Sequence, residues 1–168
     1  GTLVRTDVLV EAALGLLRRN PFYVFAFVGW ILRGRAHLKH QIARRSDLEV
    51  SALPYDRRVL DWLRGERRPH VLCSASDLRF ASAVAAHVGG FDEIIASDGL
   101  HNLKGHAKAA ALCDRFGERG FDYAGDAHAD LAVWRRARRA ILVSASAATE
   151  RAAQRVAVKI AVPEQPGH

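Results

Sequence analysis

From residue 54 onward the sequence alternates short apolar runs with segments of helical periodicity, and this alternation restricts the fold more than any other feature. The apolar runs have the length of strands and lie at 70–74, 93–96, 122–125, 140–143 and 156–160. Helical segments separate them, at 55–67, 77–87, 105–116, 128–138 and 149–155. Strands that alternate with helices of about 10 to 15 residues form βαβ units. The sequence therefore predicts an α/β fold with a parallel sheet, in which Ser76 is the expected cap of the second helix.

The first third of the chain has a helical pattern throughout. Three helices are predicted there, at 8–19, 22–32 and 35–45. Thr6 and Asp7 are both suited to cap the first of them. The run 22–32 is apolar on all sides, but it is only about half of the roughly 20 residues that a membrane span needs. We interpret it as a buried helix or a helix that lies along an interface, and we expect 7–52 to form a small all-helical unit.

Charge and cysteine content restrict the partners of the chain. The formal net charge is +7, the pI is near 10.1, and many arginines occur in adjacent pairs. These pairs lie on helical segments without the interleaved aromatic residues that single-strand binders use. Solvated helix faces are therefore the first interpretation, an anionic membrane surface the second, and a nucleic acid the third. Cys73 and Cys113 lack disulfide or metal-site spacing and are expected to be buried free thiols in a reducing compartment.

The strongest local signal for chemistry is Gly125-Asp126-Ala-His-Ala-Asp130, which directly follows a predicted strand. The glycine permits a tight turn, and the i, i+4 spacing puts both carboxylates on one side of the first helical turn. Carboxylate oxygens are ligands that Mg²⁺ prefers, so Asp126 and Asp130 are candidate metal ligands. The alternative is that Asp126 only caps the helix and that Asp130 is a surface residue.

Two further residues lie where a parallel sheet binds ligands, beyond the carboxyl ends of its strands. Ser74 ends an apolar strand, where its hydroxyl and the backbone N–H of Ala75 can hold a phosphoryl oxygen. Lys108 lies in the first turn of a helix, a position that is unfavourable for a cation unless an anion is close. Lys104 is the alternative residue for that role. In the simpler interpretation Ser74 is a helix cap and Lys108 is exposed to solvent.

In their order along the chain, four elements resemble the four motifs of the haloacid-dehalogenase-like phosphatase superfamily: Gly1-Thr2, Ser74, Lys108 and Gly125-Asp126-x-x-x-Asp130. The first motif of that family is Asp-x-Asp-Gly-Thr, directly after the first strand, and the chain begins at its last two residues. The resemblance implies a three-layer Rossmann-like sheet whose first, central strand is missing. It also implies three segments: a remnant of the first motif at 1–6, a helical cap at 7–52 as in the phosphoserine-phosphatase-like branch, and an α/β core at 53–162.

A closer resemblance is to the phosphatase-like domain that is fused ahead of UbiA-type membrane prenyltransferases. It depends on the segments 2–7, 53–55, 97–99, 102–105, 115–123 and 129–134. The resemblance implies a cytoplasmic domain at the inner face of a membrane, with a linker at 163–168 that leads to a membrane domain. The basic helices and the apolar run 22–32 could then lie against an anionic bilayer surface.

The resemblance to the superfamily also implies covalent phosphoryl transfer that depends on Mg²⁺. The first aspartate of the missing motif would attack phosphorus, and the second would act as general acid and then as base. Mg²⁺ would be held by that nucleophile together with Asp126 and Asp130. The phosphoryl group would be bound by Thr2, Ser74, Ala75 and Lys108. Without the two aspartates, we expect the chain as it stands to be inactive and to bind Mg²⁺ weakly.

The substrate implied by this resemblance is a phosphorylated small molecule or an isoprenoid phosphate, because the predicted cap is mostly apolar and arginine-rich. An alternative function is that of a non-catalytic regulatory or docking module of a membrane prenyltransferase. A third possibility is nucleic-acid binding through the arginine pairs, which would weaken steeply with salt. An Asp-x-Asp sequence encoded directly upstream of Gly1 would favour the enzyme over the module.

Overall fold

The structure, a computed structural model, describes residues 2–46, 49–156 and 158–161. The predicted linker at 163–168 lies outside these described residues, as does Gly1. The elements in chain order are α1 (Val8–Arg19), α2 (Tyr23–Leu32), α3 (Arg35–Arg45), a 3₁₀ turn (Val50–Ala52), α4 (Arg57–Gly65), β1 (Val71–Asp77), α5 (Leu78–Val88), β2 (Glu93–Ser97), α6 (His106–Phe116), β3 (Asp122–Gly125), a second 3₁₀ turn (His128–Asp130), α7 (Leu131–Trp134), β4 (Arg139–Leu142), α8 (Ala147–Gln154) and β5 (Val158–Ala161).

The chain divides into two compact units, each of which combines segments that are distant in sequence. The first, here the helix-rich unit, comprises Thr6–Pro54 and Arg68–Leu103. The second, here the three-strand unit, comprises the described parts of Gly1–Arg5, Tyr55–Arg67 and Lys104–His168.

The helix-rich unit contains α1 to α3, β1, α5 and β2. Asp7 caps α1 as predicted, because its carboxylate accepts a hydrogen bond from the backbone N–H of Leu9. The strands β1 and β2 pair in parallel, and β1 continues past Ser74 with a shift of register. Because of this extension α5 begins only at Leu78, and Asp77 caps it by accepting from the N–H of Arg79. The prediction that Ser76 caps this helix is therefore wrong.

The helices of the predicted all-helical segment 7–52 lie in the same compact unit as β1, α5 and β2. Helix α3 contacts both β1 and α5, and the first 3₁₀ turn contacts α5. Helices α1 and α3 bury Ala12, Leu16 and Ile42, whereas α2 buries none of its residues. The helical segment is thus partly anchored on the sheet through α3, and α2 is its most exposed element.

The three-strand unit has the parallel sheet β3-β4-β5 and a core around α7. Val133, Trp134, Ala137 and Ala140 are completely buried there. The helix predicted over 128–138 is instead a 3₁₀ turn followed by the four-residue α7. The carboxylate of Asp130 turns back to accept hydrogen bonds from the backbone N–H groups of residues 126 and 127, which favours a tight turn at this point.

The predicted α/β class with parallel strands is confirmed, since every strand pair in the described part of the chain is parallel. The described strands form two small sheets, β1-β2 and β3-β4-β5. Among the described residues, no helix combines the length and the apolar character that crossing a membrane requires.

Candidate functional site

Lys108, Tyr123 and Asp130 form a buried polar cluster in the three-strand unit. Lys108 Nζ donates to the Tyr123 hydroxyl at 2.8 Å, and that hydroxyl donates to Asp130 Oδ1 at 3.2 Å. The ammonium of Lys108 also lies 4.0 Å from the same carboxylate oxygen. Lys108 and Asp130 are each only 8% exposed. The simpler interpretations, an exposed lysine and a surface aspartate, are therefore wrong. The alternative lysine, Lys104, is exposed.

Asp130 also organises the loop that follows β3. Its Oδ2 accepts hydrogen bonds from the backbone N–H groups of Asp126, at 3.2 Å, and of Ala127, at 3.1 Å. A buried carboxylate that is surrounded by such donors is held in one orientation. Both oxygens of Asp130 thus accept hydrogen bonds from protein groups, and the residue helps to hold Asp126 in position. Its role as a metal ligand stays a prediction.

Asp126 lies half-buried directly beyond the carboxyl end of β3. Its Oδ1 accepts a hydrogen bond of 2.7 Å from the hydroxyl of Thr2. The start of the described chain therefore lies at the end of β3, where ligands of parallel sheets bind. The structure brings four of the predicted site residues into one unit: Thr2, Lys108, Asp126 and Asp130.

Gly125 is required here for space. A Cβ atom at this position would lie 2.7 Å from Asp130 Oδ2 and 2.9 Å from Trp134 Cζ2. Trp134 is itself fixed, because its indole N–H donates to the carbonyl of Tyr123 at 3.0 Å. Glycine occurs at position 125 because the Asp130 carboxylate and the Trp134 indole approach the backbone too closely for a Cβ atom. The predicted need for glycine in a tight turn is not the reason.

Asp56 and Arg58, neither of which the sequence singled out, form a second polar cluster of the same unit. Asp56 caps α4 and is 2% exposed, and Arg58 holds its carboxylate through two side-chain hydrogen bonds. The side-chain hydrogen bond from Arg58 lowers the pKa of Asp56 to about 2 against the opposing effect of burial. The backbone N–H of Arg58 and the charges of Arg58 and Arg5 act in the same direction as that hydrogen bond. Arg58 also donates to Ser144, which follows β4 at the carboxyl edge of the sheet and has a positive φ of 47°. This arrangement places a guanidinium group at that edge.

Ser74 and Ala75 lie in the helix-rich unit, where β1 shifts its register. Ser74 Oγ accepts from the backbone N–H of Ser76 at 3.1 Å, and the Ala75 carbonyl accepts from the Ser97 hydroxyl at 2.9 Å. These contacts shape the end of β1 into a defined loop. The convergence of Ser74 with Lys108 and Asp126 on one phosphate stays a prediction.

Two side chains of α3 reach this loop, and neither was singled out in the sequence. Lys39 Nζ donates to the Ala75 carbonyl at 2.6 Å and to Asn102 Oδ1 at 2.7 Å. The His40 ring lies 3.0 Å from the buried carboxylate of Asp77. Helix α3 therefore contributes a cation and an imidazole to the carboxyl end of β1. The long sequence separation of these pairs explains why no local pattern predicted them.

The residues at the end of β3 fit one part of a magnesium site. Mg²⁺ commonly takes one or two carboxylates and completes its shell with water and substrate oxygens. Asp126 can supply such a carboxylate, and the Thr2 hydroxyl lies beside it. Within residues 2–46, 49–156 and 158–161, no group of three or more His, Cys, Asp or Glu side chains is arranged to hold a metal ion. Cys73 and Cys113 form no disulfide, as predicted, but both are half-buried and not buried.

Comparison with known proteins identifies a relative of the chain but does not indicate what the chain does. The chain is 37% identical over 146 residues to a protein of Sinorhizobium fredii (strain NBRC 101917 / NGR234) described as uncharacterized protein y4nM. The alignment covers 85% of this chain and 28% of the relative, so the chain spans less than a third of that protein's length. No family model matches the chain, and no solved structure matches it. Its function must therefore be argued from its own residues.

Proposed function

We propose that the chain is part of a haloacid-dehalogenase-like phosphatase domain that transfers phosphoryl groups with Mg²⁺. The observation that carries the proposal is the arrangement beyond β3. Asp126 stands at the strand end with the Thr2 hydroxyl on its Oδ1, and a buried lysine–carboxylate pair lies behind it. These are the residue types that the first, third and fourth motifs of that superfamily supply.

The proposal includes a more specific fold than the α/β class. This fold is a three-layer Rossmann-like sheet in which the strand before Gly1-Thr2 is central and residues 7–52 form a helical cap. The order of the strands supports it, because β3 is an edge strand of the three-stranded sheet and β1 has only β2 beside it in the described residues. Each sheet can therefore accept a further parallel strand at an edge.

The residues of the chain would have the following roles. Asp126 would hold Mg²⁺, which when bound offsets negative charge on the phosphoryl oxygens. Asp130 would keep Asp126 in position through the backbone N–H groups of the loop. Lys108 has three N–H donors, so it can donate to Tyr123 and also to an anion. Ser74 and the backbone N–H of Ala75 would hold a further phosphoryl oxygen.

The nucleophile and the general acid of this mechanism are the aspartates of Asp-x-Asp-Gly-Thr. The proposal therefore requires that Asp-x-Asp is encoded directly before Gly1. We also propose that the domain is the cytoplasmic part of a fusion with a UbiA-type membrane prenyltransferase, acting on a small or isoprenoid phosphate. The relative supports a multidomain parent, because 28% of its length is aligned with this chain.

The test is an assay of the chain extended by its encoded upstream residues, with p-nitrophenyl phosphate as substrate. We expect hydrolysis that needs Mg²⁺ and a loss of about 100-fold or more in kcat/KM for Asp126→Asn, because that variant loses a metal ligand. The matched control is Asp114→Asn, an exposed aspartate of α6, which should keep full activity.

Two outcomes would contradict the proposed enzyme mechanism. One is the absence of Asp-x-Asp upstream of Gly1, and the other is equal activity of Asp126→Asn and the unchanged protein. Absence of Asp-x-Asp would favour the alternative, a non-catalytic docking module with the same fold. Equal activity would show that Asp126 does not serve as the metal ligand.

A further inference from the structure

Helix α2 has two apolar faces, and only one of them packs against the protein. Tyr23, Phe27 and Trp30 recur at helical spacing and are half-buried, with ring centroids 5.5 to 6.4 Å apart. Arg45 of α3 lies 4.9 Å from the centre of the Trp30 ring. This face therefore attaches α2 to the rest of the helix-rich unit.

The opposite face is apolar and open to solvent. The exposed fractions are 75% for Phe22, which directly precedes the helix, and 49% for Val24, 72% for Phe25, 56% for Val28, 58% for Ile31 and 83% for Leu32 on the helix itself. Single exposed apolar residues are common on protein surfaces. A continuous patch of large ones indicates a binding surface for a membrane or for another molecule. We call this set the α2 face.

In the sequence, the segment that carries the α2 face has charged residues of one sign. Residues 12–46 contain no Asp or Glu, and they contain seven basic residues. Four arginines near the ends of α2 are exposed: Arg18, Arg19, Arg33 and Arg35. An apolar strip between cationic ends matches a lipid surface, in which acyl chains accept the apolar side chains and anionic headgroups accept the guanidinium groups.

We propose that the α2 face is a membrane-binding surface that lies in the headgroup region of an anionic bilayer. The helix has 10 residues and is about 15 Å long, which is half of the hydrocarbon thickness, so it lies along the bilayer and does not cross it. The excess of Arg and Lys over acidic residues in this segment favours an anionic lipid surface as the occupant. The inference concerns the helix-rich unit and does not depend on phosphoryl transfer.

The experiment is co-sedimentation of the chain with large unilamellar vesicles of phosphatidylcholine, with and without phosphatidylglycerol. We expect binding to the anionic vesicles, weaker binding to the neutral ones, and release by salt. The double variant Phe25→Glu, Ile31→Glu should lose binding by about ten-fold or more, because each change removes an apolar side chain from the lipid and adds a negative charge. Arg18→Gln with Arg33→Gln should weaken binding to anionic vesicles only, by roughly five-fold per arginine.

The matched control is Leu100→Glu, which changes a leucine that is 85% exposed in the same unit but outside α2. It should bind as the unchanged protein does. All variants should keep the circular dichroism spectrum of the unchanged protein, since the altered side chains are exposed.

Three results would overturn the proposal. They are no sedimentation with anionic vesicles at low salt, equal binding by the Phe25→Glu, Ile31→Glu variant, and a dimer in size-exclusion chromatography that this variant dissociates while no vesicles bind. The last result would assign the α2 face to a second copy of the chain.

Discussion

The Thr2 hydroxyl donates a hydrogen bond of 2.7 Å to Asp126 Oδ1 across 124 positions of sequence. It holds the start of the described chain at the carboxyl end of β3. Val4 and Tyr55 form an antiparallel bridge close by, and the Leu3 carbonyl accepts from the N–H of Asp56. Residues 2–4 are thus part of the three-strand unit, and the contact between Thr2 and Asp126 has measurable consequences.

Thr2→Val should lower the free energy of unfolding by about 1 to 2 kcal/mol, because the Asp126 carboxylate loses a donor. Urea denaturation measures this. Thr6→Val is the matched control, since Thr6 Oγ1 is buried without a hydrogen-bond partner among the described residues. That change should be neutral or slightly stabilising. Equal losses in both variants would mean that the contact with Asp126 contributes nothing.

The buried cluster of Lys108, Tyr123 and Asp130 should be costly to disrupt. Tyr123→Phe removes a hydroxyl with two buried partners and should cost about 1 to 3 kcal/mol, whereas Lys108→Met leaves a buried carboxylate without its cation and should cost about 3 kcal/mol or more. Urea midpoints give both values. Tyr23→Phe, at a half-exposed position of α2, should change stability by less than about 0.5 kcal/mol. Similar midpoints for Lys108→Met and the unchanged protein would contradict the structure of the cluster.

Gly125→Ala should destabilise the chain by about 1 to 3 kcal/mol, because its Cβ would overlap Asp130 Oδ2 and the Trp134 ring. Gly15→Ala is the opposite case. Gly15 lies inside α1 with no atom within 4 Å of an added Cβ, so alanine should stabilise the helix by up to about 1 kcal/mol. Thermal denaturation of both variants is the measurement, and shifts of the same sign would show that the space around Gly125 is not limiting.

Because of Asp56, the free energy of unfolding should depend on pH in the acidic range. Its pKa is lowered to about 2 by Arg58, so the unfolded state binds the proton more readily and the carboxylate stabilises the fold above pH about 4. That contribution, of the order of 2 kcal/mol, is lost as the pH falls towards 2. Arg58→Met should abolish most of it, so that the variant's stability deficit is large at pH 6 and small near pH 2. Arg64→Met, which breaks an exposed pair with Asp61, should show no such difference.

If the proposed strand precedes Gly1, extension of the chain by about ten upstream residues, enough for one strand, should raise the urea midpoint. The expected reason is that an added strand covers an edge of a sheet and buries apolar side chains. The Thr2–Asp126 contact places residue 2 beside β3, where such a strand would enter. Equal midpoints for the chain and its extended form would defeat this prediction, independently of any assay of activity.

The positions of helices and strands followed largely from local sequence. Apolar runs placed β1 to β4 within a few residues, Asp7 was recognised as a cap, and the alternation of elements predicted parallel strands. These features depend on side-chain periodicity and on backbone hydrogen bonds between near neighbours, so a short window of sequence contains the information. The errors lay at boundaries, as at Asp77, where a shifted register moved the helix cap.

The roles of the polar side chains were decided by tertiary contacts. The i, i+4 spacing of Asp126 and Asp130 predicts two candidate metal ligands. Only the fold shows that Asp130 accepts hydrogen bonds from backbone N–H groups and from the Tyr123 hydroxyl, to which Lys108 donates. Likewise, the sequence contained an apolar segment at 22–32, and only packing showed which of its faces stays exposed. The physical reason is that the environment of a charge or an apolar side chain depends on neighbours far along the chain, whereas the tendency to form a helix or strand depends on neighbours within a few residues.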